Sequence, residues 1–165
     1  MSKKSVHLCQ DLNQTIFHCD IKLENIIFDR RSLKAALIDF DMSLEIDPAN
    51  SLATTVQFRG TFGYHAPELL TGENASQNLY CFDEKTEVFA FGKTLEKWFG
   101  LDLDMDDRPS LTLFKQDHIS AEEAVILQLI GNMTHVNKNQ RSSLTEVRET
   151  LSSLMTPSSR YELAM

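Results

Sequence analysis

The sequence predicts a mainly α-helical domain of the α+β class, in which helices surround a hydrophobic central helix and a short β-hairpin precedes them. Three patterns support this prediction: two Ser-x-x-Glu boxes before apolar stripes, one segment apolar around most of its circumference, and two short apolar runs flanking a polar turn. The chain of 165 residues is long enough for one hydrophobic core. We therefore predict a single domain over residues 1–158 and a C-terminal tail over residues 159–165.

The hairpin is predicted within the first forty residues. Apolar residues 26–28 and 35–38 have the length of short strands, and the polar residues 29–32 between them are typical of a turn. Before them, residues 6–12 fit the last turns of a helix. After them, residues 41–61 are mixed and rich in Ser and Thr, which predicts a long loop of the kind that is usually functional or mobile.

The central helix is predicted over residues 84–99, where apolar side chains cover most of the helical circumference. A helix of this kind is expected in the middle of a domain. Gly92 inside it costs about 1 kcal/mol relative to Ala, which indicates close packing at that point. We expect Trp98 and Phe99 to belong to the core. The apolar residues are Val88, Phe89, Ala90, Phe91, Leu95, Trp98 and Phe99.

Two further helices are predicted in the C-terminal part of the chain, each beginning at a capping box. In such a box the Ser hydroxyl and the Glu carboxylate each accept a hydrogen bond from the other residue's backbone N–H. The boxes are Ser120 to Glu123 and Ser143 to Glu146. The apolar stripes behind them are Ile126, Leu129, Ile130 and Met133 in the first helix, and Leu144, Val147, Leu151 and Leu154 in the second.

Charge and composition argue against several classes of function. Twenty-four acidic and sixteen basic residues give a net charge of −8, which disfavours nucleic acid and anionic membranes as partners. The three cysteines form no metal-binding pattern, and no apolar run reaches the ~18 residues of a membrane span. Lacking a secretory signal, the chain is expected in the cytoplasm, although delivery into a host cell would leave no mark. The acidic residues 102–109 predict a solvated loop, with cation binding as the alternative.

Three blocks of polar residues lie next to these apolar elements. Their residue types and their order along the chain indicate a chemical function. They are His18-Cys19-Asp20-Ile21-Lys22-Leu23-Glu24-Asn25, Ile38-Asp39-Phe40-Asp41 and Gly60-Thr61-Phe62-Gly63-Tyr64-His65-Ala66-Pro67-Glu68. They closely resemble the catalytic loop, the magnesium-binding motif and the Ala-Pro-Glu motif of eukaryotic-type protein kinases. Residues 85–92 resemble the central-helix motif of the large lobe of that family. The chain thus resembles the large, C-terminal lobe alone, with a degenerate Asp-Phe-Asp motif.

The resemblance implies phosphoryl transfer from ATP with Mg²⁺ or Mn²⁺ as cofactor. Asp20 would accept or orient the proton of the substrate hydroxyl, and Lys22 would place a cation near the transferred phosphate. Asn25 and Asp39 offer the hard oxygen atoms that suit Mg²⁺. Thr61 resembles the threonine that bonds to the catalytic Asp and Lys in Ser/Thr-type kinases, which favours Ser or Thr as acceptor.

Other positions of the motifs are expected to bind the nucleotide or to support the structure. Ile27 resembles the apolar residue beneath the adenine ring. His18 and Phe40 are expected to pack in the core under the site. Glu68 and Arg141 are expected to form a buried ion pair that ties down the loop.

Three residues depart from the family pattern. Cys19 stands where many kinases carry an Arg that pairs with a phosphate on the activation loop, so the chain is of the non-RD type. Asp41 replaces the Gly of Asp-Phe-Gly, which adds a negative charge beside the metal ligands and restricts the backbone. Two roles remain open for Asp41: an extra metal ligand, or a residue that holds the loop in an inactive conformation. Glu87 replaces the usual Asp of the central helix, which is the mildest change.

The sequence contains neither G-x-G-x-x-G nor Val-Ala-x-Lys, the phosphate-binding patterns of a kinase small lobe. Two functions therefore remain open. The first is a Ser/Thr kinase lobe that either obtains its small lobe from another chain or acts as a minimal variant with these residues alone, and the second is an inactive pseudokinase-like binding module. The second would engage a protein partner or a second copy through the exposed face that normally meets the small lobe. Nucleotidylation, phosphorylation of a small molecule and metal-only hydrolysis are further alternatives on the same fold.

Overall fold

The structure is a computed structural model, and it describes residues 16–46, 49, 51–71, 79–101 and 120–154. In this part of the chain, four α-helices are accompanied by three two-stranded sheets. The predicted helix over residues 6–12, the acidic stretch 102–109 and the tail 159–165 lie outside the described residues. None of the described helices is long and apolar enough to cross a membrane.

The three sheets are small and antiparallel. In chain order the strands are β1 (Ile16–Phe17), β2 (Ile26–Asp29), β3 (Lys34–Leu37), β4 (Leu44–Glu45), β5 (Ala53–Thr55) and β6 (Tyr80–Phe82). Strand β1 pairs with β4, β2 with β3, and β5 with β6. Two of the three pairs join segments that are distant in sequence, so each of them closes a long loop.

The β2–β3 pair is the predicted hairpin. Ile26 lies opposite Leu37 and Asp29 lies opposite Lys34. The Asp29 carboxylate closes the turn, since it accepts hydrogen bonds from the Arg31 backbone N–H at 2.9 Å and from the Ser32 hydroxyl at 2.6 Å. The prediction of two short strands and a polar turn is confirmed.

The helices are α1 (Pro67–Leu70), α2 (Glu84–Trp98), α3 (Ala121–Met133) and α4 (Leu144–Leu154). Both predicted capping boxes are present. The Ser120 hydroxyl accepts from the Glu123 N–H at 3.1 Å, and the Ser143 hydroxyl accepts from the Glu146 N–H at 3.2 Å. Each box satisfies backbone groups that would otherwise have no partner at a helix start.

Helix α2 joins two clusters of buried side chains. Phe89, which is 1% exposed, belongs to the cluster beneath β1, β5 and β6, whereas Val88 packs against α3 and α4. Gly92 faces α3 closely: a Cβ there would lie 2.7 Å from Thr134 Cγ2 and 2.8 Å from Met133 Cβ. The close packing predicted at this glycine is confirmed.

Three details of the prediction are wrong. Trp98 and Phe99 are not core residues, since they are 55% and 49% exposed. Helix α2 ends at Trp98, so this end extends beyond the buried part of the helix, and the Trp98 ring contacts only the edge of Phe28 among the described aromatic rings. Leu144 is also exposed because it is the first residue of α4. Residues 41–61 are not simply a loop, since they contain β4 and β5.

Candidate active site

Asp20, Lys22 and Thr61 form a closed triangle of hydrogen bonds. Lys22 Nζ donates to Asp20 Oδ2 at 2.8 Å and to Thr61 Oγ1 at 2.7 Å. The Thr61 hydroxyl in turn donates to Asp20 Oδ1 at 2.7 Å. Thr61 lies about forty positions after Asp20 and Lys22 in the sequence. The fold therefore brings these three predicted residues together.

Asn25 binds both the carboxylate and the backbone of Asp20. Its Nδ2 donates to the Asp20 carbonyl at 2.9 Å and to Asp20 Oδ2 at 3.2 Å. The Asn25 carbonyl accepts from the Ile38 N–H at 2.9 Å. This bond brings the end of β3, and therefore Asp39, next to the catalytic loop.

Asp39 lies in the left-handed region of the backbone, with φ 64° and ψ 70°. This conformation is uncommon for a residue with a side chain and is often retained for function. The Asp39 side chain is exposed and caps no helix. The pKa of the Lys22 ammonium is raised, first by its hydrogen bond to Asp20, while desolvation opposes the increase. The charge of Asp39 adds to the increase, as do the charges of Asp20 and Glu24.

Asp20 is an ionised carboxylate at neutral pH. Burial raises its pKa, but the hydrogen bonds from Lys22, Thr61 and Asn25 outweigh burial and lower the pKa below the ordinary value. Each of these hydrogen bonds to the carboxylate oxygens favours the ionised form. The group is therefore ready to accept a hydrogen bond from a further hydroxyl.

His18 supports the loop from below. The ring is 4% exposed, and Nε2 donates to the Ile38 carbonyl at 3.0 Å, while Nδ1 accepts from the Asp20 N–H at 3.2 Å. Phe40 packs edge-on against this ring with 4.8 Å between centroids. His18 is therefore buried under the site, whereas Phe40 is half-buried and not part of the core.

Glu87 anchors the catalytic loop to helix α2, a role that the sequence prediction missed. Its carboxylate accepts from the His18 N–H at 2.8 Å and from the Cys19 N–H at 2.9 Å. Burial raises the pKa of Glu87, and these two bonds only partly offset it. Cys19 has φ 64°, so the anchored turn is itself unusual. The signal available in the sequence was an acid directly before the apolar run Val88 to Phe91.

Glu68 and Arg141 form a two-pronged ion pair. Arg141 Nη1 donates to Glu68 Oε1 at 2.7 Å and Nη2 donates to Oε2 at 3.0 Å. The Arg141 side chain is fully buried, and it also donates to the carbonyls of Lys85 at 2.8 Å and His135 at 3.1 Å. The pair therefore joins α1 to the chain between α3 and α4, at a distance from the Asp20 carboxylate network.

Tyr64 holds the turn that follows Thr61, another contact that the sequence prediction missed. The Tyr64 ring is buried and lies beneath Lys97 Nζ, 3.9 Å from the ring centroid. Its hydroxyl donates weakly to Glu24 Oε2 at 3.4 Å. No sequence pattern distinguished this tyrosine from other core aromatics.

The donor set fits a magnesium-type ion. The described residues contain no group of three or more His, Cys, Asp or Glu side chains that could hold a metal by themselves. However, Mg²⁺ usually binds one or two protein oxygens and completes its shell with water and substrate phosphates. The amide oxygen of Asn25 and the exposed carboxylate of Asp39 are oxygen donors of that kind. Ile27 is 55% exposed on β2 and takes no part in the Asp20 network.

Comparison with known proteins gives a consistent result. A family model described as "Protein kinase domain" matches residues 4–151. The chain is 33% identical over 89 residues, 54% of its length, to the probable serine/threonine-protein kinase fnkB of Dictyostelium discoideum. It is 34% identical over 99 residues, 60% of its length, to the G-type lectin S-receptor-like serine/threonine-protein kinase SD2-5 of Arabidopsis thaliana.

A third relative is the LRR receptor-like serine/threonine-protein kinase FEI 2 of Arabidopsis thaliana, with 36% identity over 91 residues and 55% of this chain. The aligned part covers only 16%, 11% and 14% of these three relatives. The chain therefore corresponds to a small part of each curated relative.

Proposed function

Because this chain belongs to the protein kinase domain family, we propose that it is a kinase catalytic lobe that transfers the γ-phosphate of ATP to Ser or Thr hydroxyls. One observation carries the proposal: Thr61 and Lys22 both hydrogen-bond the Asp20 carboxylate, and to each other, at 2.7–2.8 Å. This arrangement suits phosphoryl transfer, which needs positioning and charge neutralisation more than covalent help.

Asp20 accepts the hydrogen bond of the incoming Ser or Thr hydroxyl and takes up its proton. The acceptor oxygen forms a bond to the γ-phosphorus as the bond from that phosphorus to the β–γ bridging oxygen breaks, so ADP leaves. Lys22 places its positive charge beside the reacting groups. Thr61 and Asn25 keep the Asp20 carboxylate oriented throughout.

Asn25 and Asp39 would hold the divalent cation, Mg²⁺ or Mn²⁺, which when bound neutralises phosphate charge. Ile27 would lie against the adenine ring, in keeping with its exposed position on β2. The sequence carries no Gly-rich phosphate loop. We propose that the chain transfers phosphate as a minimal variant with the residues of this lobe alone, or with a small lobe that another segment or chain supplies. In the second case ATP would be bound between the two parts.

Transfer from radiolabelled ATP tests this proposal. The full chain is incubated with Mg²⁺, ATP and matched peptides that carry Ser, Thr, Tyr or Ala at the acceptor position. We expect label on the Ser and Thr peptides, and a decrease of about 10²- to 10⁴-fold in Asp20→Asn. Glu149→Gln, on an exposed position of α4, serves as the control and retains wild-type transfer. Equal transfer in Asp20→Asn contradicts the role of Asp20.

A binding module without turnover is the second candidate, favoured by exposed apolar side chains at one end of the fold. Ile27, Phe28 and Trp98 are 55%, 43% and 55% exposed, and the Phe28 and Trp98 rings meet edge to face at 6.3 Å. Exposed apolar surface of this kind is typical of an interface. We propose a protein partner or a second copy of the chain as its occupant.

Thermal unfolding and sedimentation distinguish the two candidates. Stabilisation by Mg²⁺ or Mn²⁺ with ATP that is lost in Asp39→Asn supports the catalytic lobe. No stabilisation, together with a dimer that Trp98→Ser converts to monomer, supports the binding module.

A further inference from the structure

Arg59 links the two ends of the segment that separates Asp39 from Thr61. It lies two residues before Thr61, and its Nη1 donates to the Met42 carbonyl at 3.0 Å. Met42 ends the short 3-10 helix Phe40–Met42, which begins directly after Asp39. The Arg59 side chain therefore connects the chain just before Thr61, which hydrogen-bonds the Asp20 carboxylate, to the chain just after Asp39, a predicted metal ligand.

Three buried polar atoms at and around Arg59 have no hydrogen-bond partner among the described residues, and one of them is Nδ1 of His65, whose Nε2 donates to the Arg59 carbonyl at 2.8 Å. Arg59 Nε is buried and has no hydrogen-bond partner among the described residues, and the same holds for the hydroxyl of Ser43. Ser43 directly follows Met42, the residue that Arg59 contacts. A buried donor without a partner is costly, so its retention calls for a reason beyond packing.

The Cys19 backbone lies next to Gly60, the residue that follows Arg59. Burial raises the pKa of the Cys19 thiol to about 12, the charge of Glu87 adds to the increase, and the charge of Arg59 opposes it. The backbone is tightly packed here, since a Cβ on Gly60 would lie 2.5 Å from the Cys19 carbonyl oxygen. Cys19 occupies the position where the family pattern has an arginine that pairs with a phosphate.

We propose that Arg59 is a positioning residue that latches this segment permanently and holds Thr61 against Asp20 without any phosphate. The guanidinium comes from within the segment and binds a backbone carbonyl, so no added anion is needed. Holding both ends of this segment keeps the Thr61 hydroxyl in place. The effect on transfer rests on the proposed function, whereas the latch itself does not.

Hydrogen exchange tests the latch independently of activity. Arg59→Met removes the guanidinium and keeps an apolar stem of similar length. The amides to follow are those of Ser43, which donates to the Phe40 carbonyl at 3.1 Å, and Tyr64, which donates to the Thr61 carbonyl at 3.2 Å. We expect both to exchange at least about tenfold faster in the variant, because opening of the segment becomes easier.

The Val147 amide, which donates to the Ser143 carbonyl at the start of α4, is the internal reference and keeps its rate. Arg148→Met, at an exposed position of α4, is the matched control and leaves all three rates unchanged. Wild-type exchange at Ser43 and Tyr64 in Arg59→Met overturns the proposal. Faster exchange at Val147 as well reveals a general loss of stability and equally overturns it.

Kinetics give the second readout. Arg59→Met is expected to lower kcat by about 10- to 100-fold, since a small displacement of the Thr61 hydroxyl misplaces Asp20. The KM for ATP is expected to change less than kcat, because the described hydrogen bond of Arg59 goes to Met42 and not to Asn25 or Asp39. Arg59→Lys retains one donor for Met42 and recovers part of the rate. If the wild-type chain shows no transfer, the proposed function fails, and the exchange experiment still decides the latch.

Discussion

Replacement of Glu87 by Gln tests how the catalytic loop is held. The Glu87 carboxylate accepts two backbone N–H groups, from His18 at 2.8 Å and Cys19 at 2.9 Å, one on each oxygen. Gln offers one oxygen and turns an NH₂ group toward the other N–H. One buried donor loses its acceptor, which costs about 1–3 kcal/mol of stability. Removal of a buried charge offsets part of this cost. We expect a net decrease of about 1–2 kcal/mol in the free energy of unfolding.

The pH dependence of this difference has a definite sign. Burial raises the pKa of Glu87 in the folded chain, so the folded state holds the proton more tightly than the unfolded state. The carboxyl therefore contributes less stability as pH rises through the raised pKa, and Gln has no such dependence. The stability difference between wild type and Glu87→Gln is expected to be larger near about pH 4 than near about pH 7.

Urea unfolding followed by circular dichroism measures both effects at a series of pH values. Glu149→Gln removes an exposed carboxylate and is the control, with a free energy of unfolding within about 0.5 kcal/mol of wild type. A Glu87→Gln chain as stable as this control at every pH would refute the anchoring role.

Three further changes have expected outcomes of their own. Gly92→Ala places a methyl group 2.7 Å from Thr134 Cγ2, and the overpacking exceeds the helix-propensity gain, so urea unfolding should show a net loss of about 1 kcal/mol; an unchanged midpoint is inconsistent with the packing. Glu68→Gln leaves the buried Arg141 side chain without its counter-charge; because the Glu68 side chain is 26% exposed, thermal unfolding should show a loss of about 1–3 kcal/mol, and an unchanged stability argues against the pair. Thr61→Val removes one donor to Asp20, so NMR titration should show a higher pKa for that carboxyl; an identical titration contradicts the triangle.

The parts of the fold that the sequence predicts are those with local signals. The boxes at Ser120 and Ser143 lie next to the helices they start, and the hairpin turn closes over a few residues, so neighbouring side chains determine them. Strands β1, β4, β5 and β6 have only two or three residues each. Their pairing depends on distant chain segments, and so short a run carries no period that can be recognised.

The exposure of Trp98 illustrates the same limit. Periodicity places an aromatic residue on a helix, but only the extent of the neighbouring elements decides whether that end is covered. In the site, motif spacing predicted Asp20 and Lys22 because their separation is local. The anchoring by Glu87 and the reach of Arg59 to Met42 depend on side-chain direction across the fold, which no spacing conveys.

Paramagnetic broadening by Mn²⁺ in the presence of ATP tests the central claim most directly, namely that Asn25 and Asp39 bring a divalent cation beside Asp20. In NMR spectra of the full chain, we predict selective loss of the amide signals of residues 20–25 and 38–40. Signals of helix α4 remain, and Asp39→Asn abolishes the effect. Broadening spread evenly over the chain, or centred on the acidic residues 102–107, would contradict the claim.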